Sequence, residues 1–197
     1  DWSKKEMATP SFLGNKAFNN YSIDEIRKYI DWTPFFSTWM LKGKYPVIFD
    51  NPIVGEEAKK LYDDAQVVLD EIIEKDLLYA NAVIGLYPAN AIGEDIEVYT
   101  DESRTEVLKT FHFLRQQGKK GSGLANLSLA DFIAPKDSGK KDYFGGFAVT
   151  AGVGIEPLVK KYEADHDDYN SIMIKAVADR LAEAFAELMH EKIRKEL

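Results

Sequence analysis

Apolar residues repeat at helical spacing toward both ends of this chain and at strand spacing through its middle, an order that restricts the folds open to it. Between residues 56 and 75, Ala58, Leu61, Tyr62, Ala65, Leu69, Ile72 and Ile73 fall three or four apart, which predicts an amphipathic helix with one buried face. A shorter helix is predicted from Ser22-Ile23-Asp24-Glu25, where Ser22 and Glu25 have capping-box spacing and Ile23, Ile26, Tyr29 and Ile30 share a face. Residues 1–20 show no sustained period and read as a lead-in arm. Residues 82–87 are a β-rich run closed by Pro88, the alternating Ile96 and Val98 follow Gly93, and the two predict a hairpin with a long loop. Further strands are predicted at 106–114 and at 143–150, where Gly145 and Gly146 mark a bulge or a close backbone approach. After Gly154 the pattern turns helical again, over 155–164 and from 169 to the end. Helices thus flank a block of strands with no regular alternation, so the fold class is α+β, on an antiparallel or mixed sheet and not a doubly wound one.

Composition narrows the function. A chain of 197 residues with 45% hydrophobic residues is long enough to bury a core as one large domain. With no cysteine, disulfides, thiolate metal sites and cysteine nucleophiles are excluded, which suits a reducing cytoplasm. The 33 acidic against 25 basic residues give a formal charge of −8, which opposes nucleic acid and anionic membrane surfaces as main partners. No apolar run approaches the roughly 18 residues of a membrane span, and no signal-peptide core follows the N-terminus. A cytoplasmic location is therefore expected. The chain starts without methionine and ends inside a helical pattern, so it is expected to be a fragment of something longer.

Most catalytic constellations are missing. His112, His166 and His190 have no i, i+3 or i, i+4 relation, so no protein-held metal is expected. His166-Asp167-Asp168 precedes a helix, where acids serve the N-terminal dipole. Gly118-Lys119-Lys120-Gly121-Ser122-Gly123 lacks the interval and ending of a phosphate loop and reads as a surface turn. Neither a G-x-S-x-G elbow nor the glycine-rich strand-to-helix turn of a doubly wound methyltransferase is present. Two carboxylate groups remain. Asp179, Glu183 and Glu187 lie four apart, so like charges repel by about a few tenths of a kcal/mol per pair, beside a small-residue stripe of Ala178, Ala182 and Ala186. The stripe is either a solvated face or an acidic docking or cation-binding face. Asp31, between Ile30 and Trp32 and ahead of Pro34, Phe35 and Phe36, either caps a helix end or needs a partner in apolar surroundings.

Several blocks carry a more specific signal: Asp31-Trp32-Thr33-Pro34-Phe35-Phe36, Gly43-Lys44-Tyr45-Pro46, Gly85-Leu86-Tyr87-Pro88-Ala89-Asn90, Leu114-Arg115-Gln116-Gln117, Leu129-Ala130-Asp131-Phe132, and His166-Asp167-Asp168-Tyr169-Asn170 through Ala178-Asp179-Arg180-Leu181-Ala182-Glu183-Ala184-Phe185. In that order they resemble the S-adenosylmethionine-binding activation domain of vitamin B12-dependent methionine synthase, over nearly the whole chain from Tyr21. The resemblance implies helices around a twisted, mainly antiparallel sheet. It implies a module, at 21–197, of a methyltransferase of methionine biosynthesis, which presents S-adenosylmethionine to a cobalamin held by a neighbouring domain. There it serves reductive methylation of cob(II)alamin with an electron from a flavodoxin-like donor. It assigns Asp31 to S-adenosylmethionine, and the repulsion tolerated along the acidic stripe places Glu183 at the ligand cleft and Asp179 on the face that meets the cobalamin-binding domain. No residue is implied as catalytic, because the reaction asks the module for positioning and not for a proton. The family's Arg-x-x-x-Gly-Tyr clamp is absent from these 197 residues, so the domain is expected to be incomplete on its C-terminal side and the fragment alone inactive. Lys119-Lys120 and the lysines of 136–141 are either solubilising turns or a steering patch for the electron donor. The competing reading is a non-catalytic protein-interaction module that uses the acidic C-terminal helix.

Overall fold

The computed structural model describes residues 2–197 and resolves the chain into two compact units. One comprises the described residues up to Lys16 with Ile84–Phe147 and Glu196–Leu197; the other comprises Ala17–Val83 and Ala148–Lys195. The elements in chain order are β1 (Gly14–Phe18), α1 (Ile23–Ile26), α2 (Thr33–Ser37), α3 (Gly55–Glu74), β2 (Tyr79–Ile92), β3 (Asp95–Tyr99), β4 (Val107–His112), β5 (Asp142–Val153), α4 (Ile155–Ala164) and α5 (Asp168–Glu196). The sheet order is β1-β2-β3-β4, with β5 also paired to β2. The segment read as a lead-in arm therefore contributes β1 to the sheet.

Within the first unit, β2 and β3 pair antiparallel from Ala89↔Val98 to Ile92↔Asp95, so only Gly93 and Glu94 lie between them. This corrects the expected long loop. Pro88 does not close β2, because the register with β3 begins at Ala89, one residue further on, and the missing N–H removes no bond to that strand. Gly93 takes φ +61°, the left-handed conformation that a tight hairpin requires. β3 and β4 continue antiparallel from Asp95↔His112 to Tyr99↔Val107. Gly145 of β5 is the close approach foreseen from its sequence: a Cβ there would stand 2.7 Å from Leu86 Cδ2.

In the second unit, α3 buries Ala58, Leu61, Ala65, Leu69 and Ile72, the face that the spacing predicts. Its first residue is confined to glycine, since a Cβ on Gly55 would lie 2.3 Å from the Phe49 carbonyl oxygen. Ser22 Oγ accepts from the Glu25 N–H at 3.3 Å and starts α1 as its spacing predicts. The proline-interrupted aromatic segment forms α2, with Pro34 in the first turn where no intrahelical N–H is needed. α5 buries Met173, Ile174, Val177, Leu181, Phe185, Leu188 and Met189 at helical steps. Its start is fixed by Asp167, whose Oδ1 accepts from the Asn170 N–H at 3.0 Å, the ordinary service of an acid before a helix. No helix among the described residues is long and apolar enough to cross a membrane.

Candidate functional site

Asp31 lies on the surface of the second unit, at the rim of an aromatic cluster and not inside it. Its Oδ1 accepts from the Thr33 N–H at 2.9 Å and so caps the entry to α2. Thr33 Oγ1 in turn accepts from the Tyr45 N–H at 3.2 Å, which joins the first two sequence blocks. Tyr45 stacks on Tyr62 with ring centroids 5.5 Å apart, and the buried Trp32 meets Tyr62 edge-on at 4.9 Å. Burial first, and then the hydrogen bond with Tyr45, push the Tyr62 hydroxyl up to about 12. These contacts hold the backbone of the Asp31 block rigid while its carboxylate faces water. The expected apolar surroundings belong to Trp32, Phe35 and Phe36, and the capping reading describes Asp31.

On α5, Asp179 and Glu183 are exposed, with 69% and 64% of their side chains accessible, yet neither charge stands alone. Arg180, whose side chain is only 8% exposed, donates to Asp179 Oδ2 at 2.7 Å and to both carboxylate oxygens of Glu183 at 2.7 Å. Burial works against the guanidinium charge, but the hydrogen bonds to Glu183 and Asp179 outweigh it and raise the Arg180 pKa above the ordinary arginine value. The expectation of uncompensated repulsion along this stripe is thus corrected. Spacing between acids could not reveal it, because the neutralising cation is itself a core residue. The small-residue stripe does admit a close approach: a Cβ on Gly152 would stand 3.4 Å from Ala178 Cβ. Asp31 thus belongs to the α2 cap, whereas Asp179 and Glu183 share the Arg180 cluster.

The first unit holds two polar hubs that the sequence reading missed. Asn90 is almost fully buried; its Nδ2 donates to the carbonyls of Ala134 at 3.0 Å and Lys140 at 2.9 Å, and its Oδ1 accepts from Arg104 at 2.8 Å. Arg104, in the left-handed region at φ +55°, also donates to the carbonyls of Ala89 and Asp142, each at 2.9 Å. In the second hub Arg115 grips Asp131 with two bonds of 2.6 and 2.7 Å and adds Glu94 at 2.8 Å and the Asn126 carbonyl at 2.8 Å. Asp131 simultaneously completes a capping box with Ser128. The only advance signal was that Asn90, Arg115 and Asp131 sit in the quoted blocks.

Arg115, and after it the Ser128 N–H, hold the Asp131 carboxyl down at about 2, from an ordinary 3.8. A carboxyl whose pKa is lower in the folded state stabilises that state fully above its unfolded value and loses the contribution as pH falls through the folded one. The segment joining the two partners is therefore expected to open between about pH 4 and pH 2. Amide exchange of residues 115–131 in acid reads this, and Asp131→Asn should show the opened state at neutral pH with no acid step.

Among the lysine turns, Lys136 is engaged by Glu97 at 3.0 Å and lies over the Tyr99 ring, so it is not a free steering charge. Lys120 donates to Gln116. Among the described residues no group of three or more His, Asp or Glu side chains could hold a metal ion. Two clefts in the second unit are a hollow of about 330 Å³ beside Ser22, Asp24, Asp76 and Tyr79, and one of about 110 Å³ between Trp39, Lys60 and Tyr169. Neither is lined by Asp31, Asp179 or Glu183.

The described residues form an α+β module of helices and an antiparallel sheet. Residues 22–197 match the model of the vitamin B12 dependent methionine synthase activation domain, and the chain belongs to that family. It is also similar to the solved structure described as the MetH reactivation domain bound to AdoHcy, with 52% identity and a TM-score of 0.92. That likeness covers 100% of this chain and 60% of the other, so the chain spans about three fifths of its relative.

Proposed function

We propose that this chain is the ligand-presenting part of a methionine synthase reactivation module, which binds S-adenosylmethionine and docks on a cobalamin-binding domain. The observation that carries this reading is the match of the entire chain, at 52% identity, to a domain solved with AdoHcy, the demethylated form of that ligand. When bound, S-adenosylmethionine supplies an electrophilic methyl group and cobalamin its acceptor, with a flavodoxin-like protein as the electron source. The chain's own residues bind and orient. Asp31 fits an ammonium group, because one carboxylate oxygen is fixed by the Thr33 N–H and the side chain is open to solvent. Glu183 fits as a secondary acceptor, since both of its oxygens already receive bonds from Arg180. Asp179 is the proposed contact with the cobalamin-binding domain. A complete site is proposed to need polypeptide outside these 197 residues, because no Arg-x-x-x-Gly-Tyr sequence is found within them.

The test uses the intact parent enzyme. Asp179→Lys is expected to slow reductive reactivation several-fold while leaving the affinity for S-adenosylmethionine unchanged, with Glu187→Lys as the control on the same helix. An unchanged rate would return the stripe to a solvated face. Absence of calorimetric heat with millimolar S-adenosylmethionine would favour the pure interaction module.

A further inference from the structure

Along α5 the buried residues Met173, Val177, Ala184 and Leu188 recur at steps of four and seven, and Arg180 falls three beyond Val177 and four before Ala184. Position 180 therefore belongs to the apolar stripe that packs the helix. Among the described residues Arg180 is the one basic residue that is buried. Stability does not account for it. Ion pairs with exposed carboxylates contribute little, and an apolar side chain of similar volume at a buried charged position is often neutral or stabilising.

What the guanidinium does is hold two side chains in place. Residues 180 and 183 are neighbours on the helix surface, and the fork takes both oxygens of Glu183, Nη1 to Oε2 and Nη2 to Oε1, each at 2.7 Å. Nη2 also donates to Asp179 Oδ2 at 2.7 Å. An exposed glutamate otherwise turns about its side-chain bonds, whereas a two-point bond from a buried anchor leaves it one orientation. Each carboxylate oxygen keeps a second lone pair, so the held carboxylate still accepts from a ligand, and its ordering cost is met before the ligand arrives. We infer that Arg180 is a positioning residue, which holds the Glu183 carboxylate ready for a donor of S-adenosylmethionine and tethers Asp179 beside it. The inference rests on the reading of Glu183 as a ligand acceptor.

The test is a double-mutant cycle in the intact parent enzyme, read by calorimetric affinity for S-adenosylmethionine. Arg180→Met keeps an apolar stem and removes the fork. It should leave Tm within about 2 °C of the unmodified enzyme and weaken ligand binding about threefold to tenfold. Arg180→Lys should restore only part of the affinity, since one ammonium does not reproduce the planar fork. Added to Glu183→Gln, Arg180→Met should cost little further, because the carboxylate it acts through is already gone. Additive losses would overturn the positioning role, as would full affinity in Arg180→Met while Glu183→Gln binds weakly. A Tm lowered by more than about 5 °C in Arg180→Met, with full affinity in Arg180→Lys, would make the guanidinium a structural group and nothing more. Affinity unchanged by Glu183→Gln would instead take Glu183 out of the site, so that the failure lies with the functional reading and the inference falls with it.

Discussion

Asn90→Ala is expected to lower the unfolding free energy by about 3 kcal/mol, the largest loss foreseen for one side chain here. Nδ2 is the donor to the carbonyls of Ala134 and Lys140, and Oδ1 is one of two acceptors for the same Arg104 nitrogen. Truncation removes the donor to the half-buried Lys140 carbonyl and one of the two donors to the Ala134 carbonyl, which keeps the Ala91 N–H, and it takes the Oδ1 acceptor from the part-buried Arg104; each buried group left unsatisfied costs about 1–3 kcal/mol. Arg104 keeps the carbonyls of Ala89 and Asp142, so the hub is weakened and not dissolved. On a chain of this size the loss corresponds to a drop of about 6–12 °C in Tm. Thermal unfolding followed by circular dichroism reads it, and a drop under about 2 °C would show that the hub does not hold the unit.

The second large effect concerns the ligand. Asp31→Asn is expected to weaken S-adenosylmethionine binding to the intact domain about tenfold to a hundredfold, the equivalent of one charge-assisted hydrogen bond of about 1.5–3 kcal/mol. The substitution is clean because an asparagine Oδ1 still accepts the Thr33 N–H that fixes α2, so the cap survives while the charge goes. On the 197-residue chain alone the same change should be nearly invisible, since ligand binding there is expected to be very weak. Calorimetry of both proteins separates the cases. Equal affinities of the unmodified and Asp31→Asn domains would remove this residue from the site, and micromolar binding by the 197-residue chain would show that the proposed clamp outside these residues is not the main determinant.

Much of the fold was legible because it is written in periodicity. α3 and α5 follow from apolar residues at helical steps, and β4 from its β-forming run. β2 was read too short because proline is a strong stop signal locally, and only the register with β3 shows that Pro88 lies just before the pairing begins. The candidate site was less legible, for a different reason. A charge stripe predicts repulsion from spacing alone, whereas Arg180 lies on the buried side of the same helix and reaches out to two exposed acids. Likewise Asp31 was read from its apolar neighbours in sequence, but those neighbours turn inward and leave the carboxylate in water. The family blocks were more informative than the patterns. They mark pairs that meet across the chain: Thr33 with Tyr45, and Arg115 with Asp131. Such pairings depend on long-range contacts that no local period encodes.

The central claim is that this chain belongs to a module that delivers the methyl group of S-adenosylmethionine to cobalamin. It is tested most directly by incubating the intact parent enzyme, holding oxidised cobalamin and a reductant, with S-adenosylmethionine labelled on its methyl group. The account predicts label on the enzyme-bound cobalamin, appearing more slowly in the Asp31→Asn enzyme at subsaturating ligand. A cobalamin that stays unlabelled while S-adenosylmethionine and reductant are both in excess would contradict it.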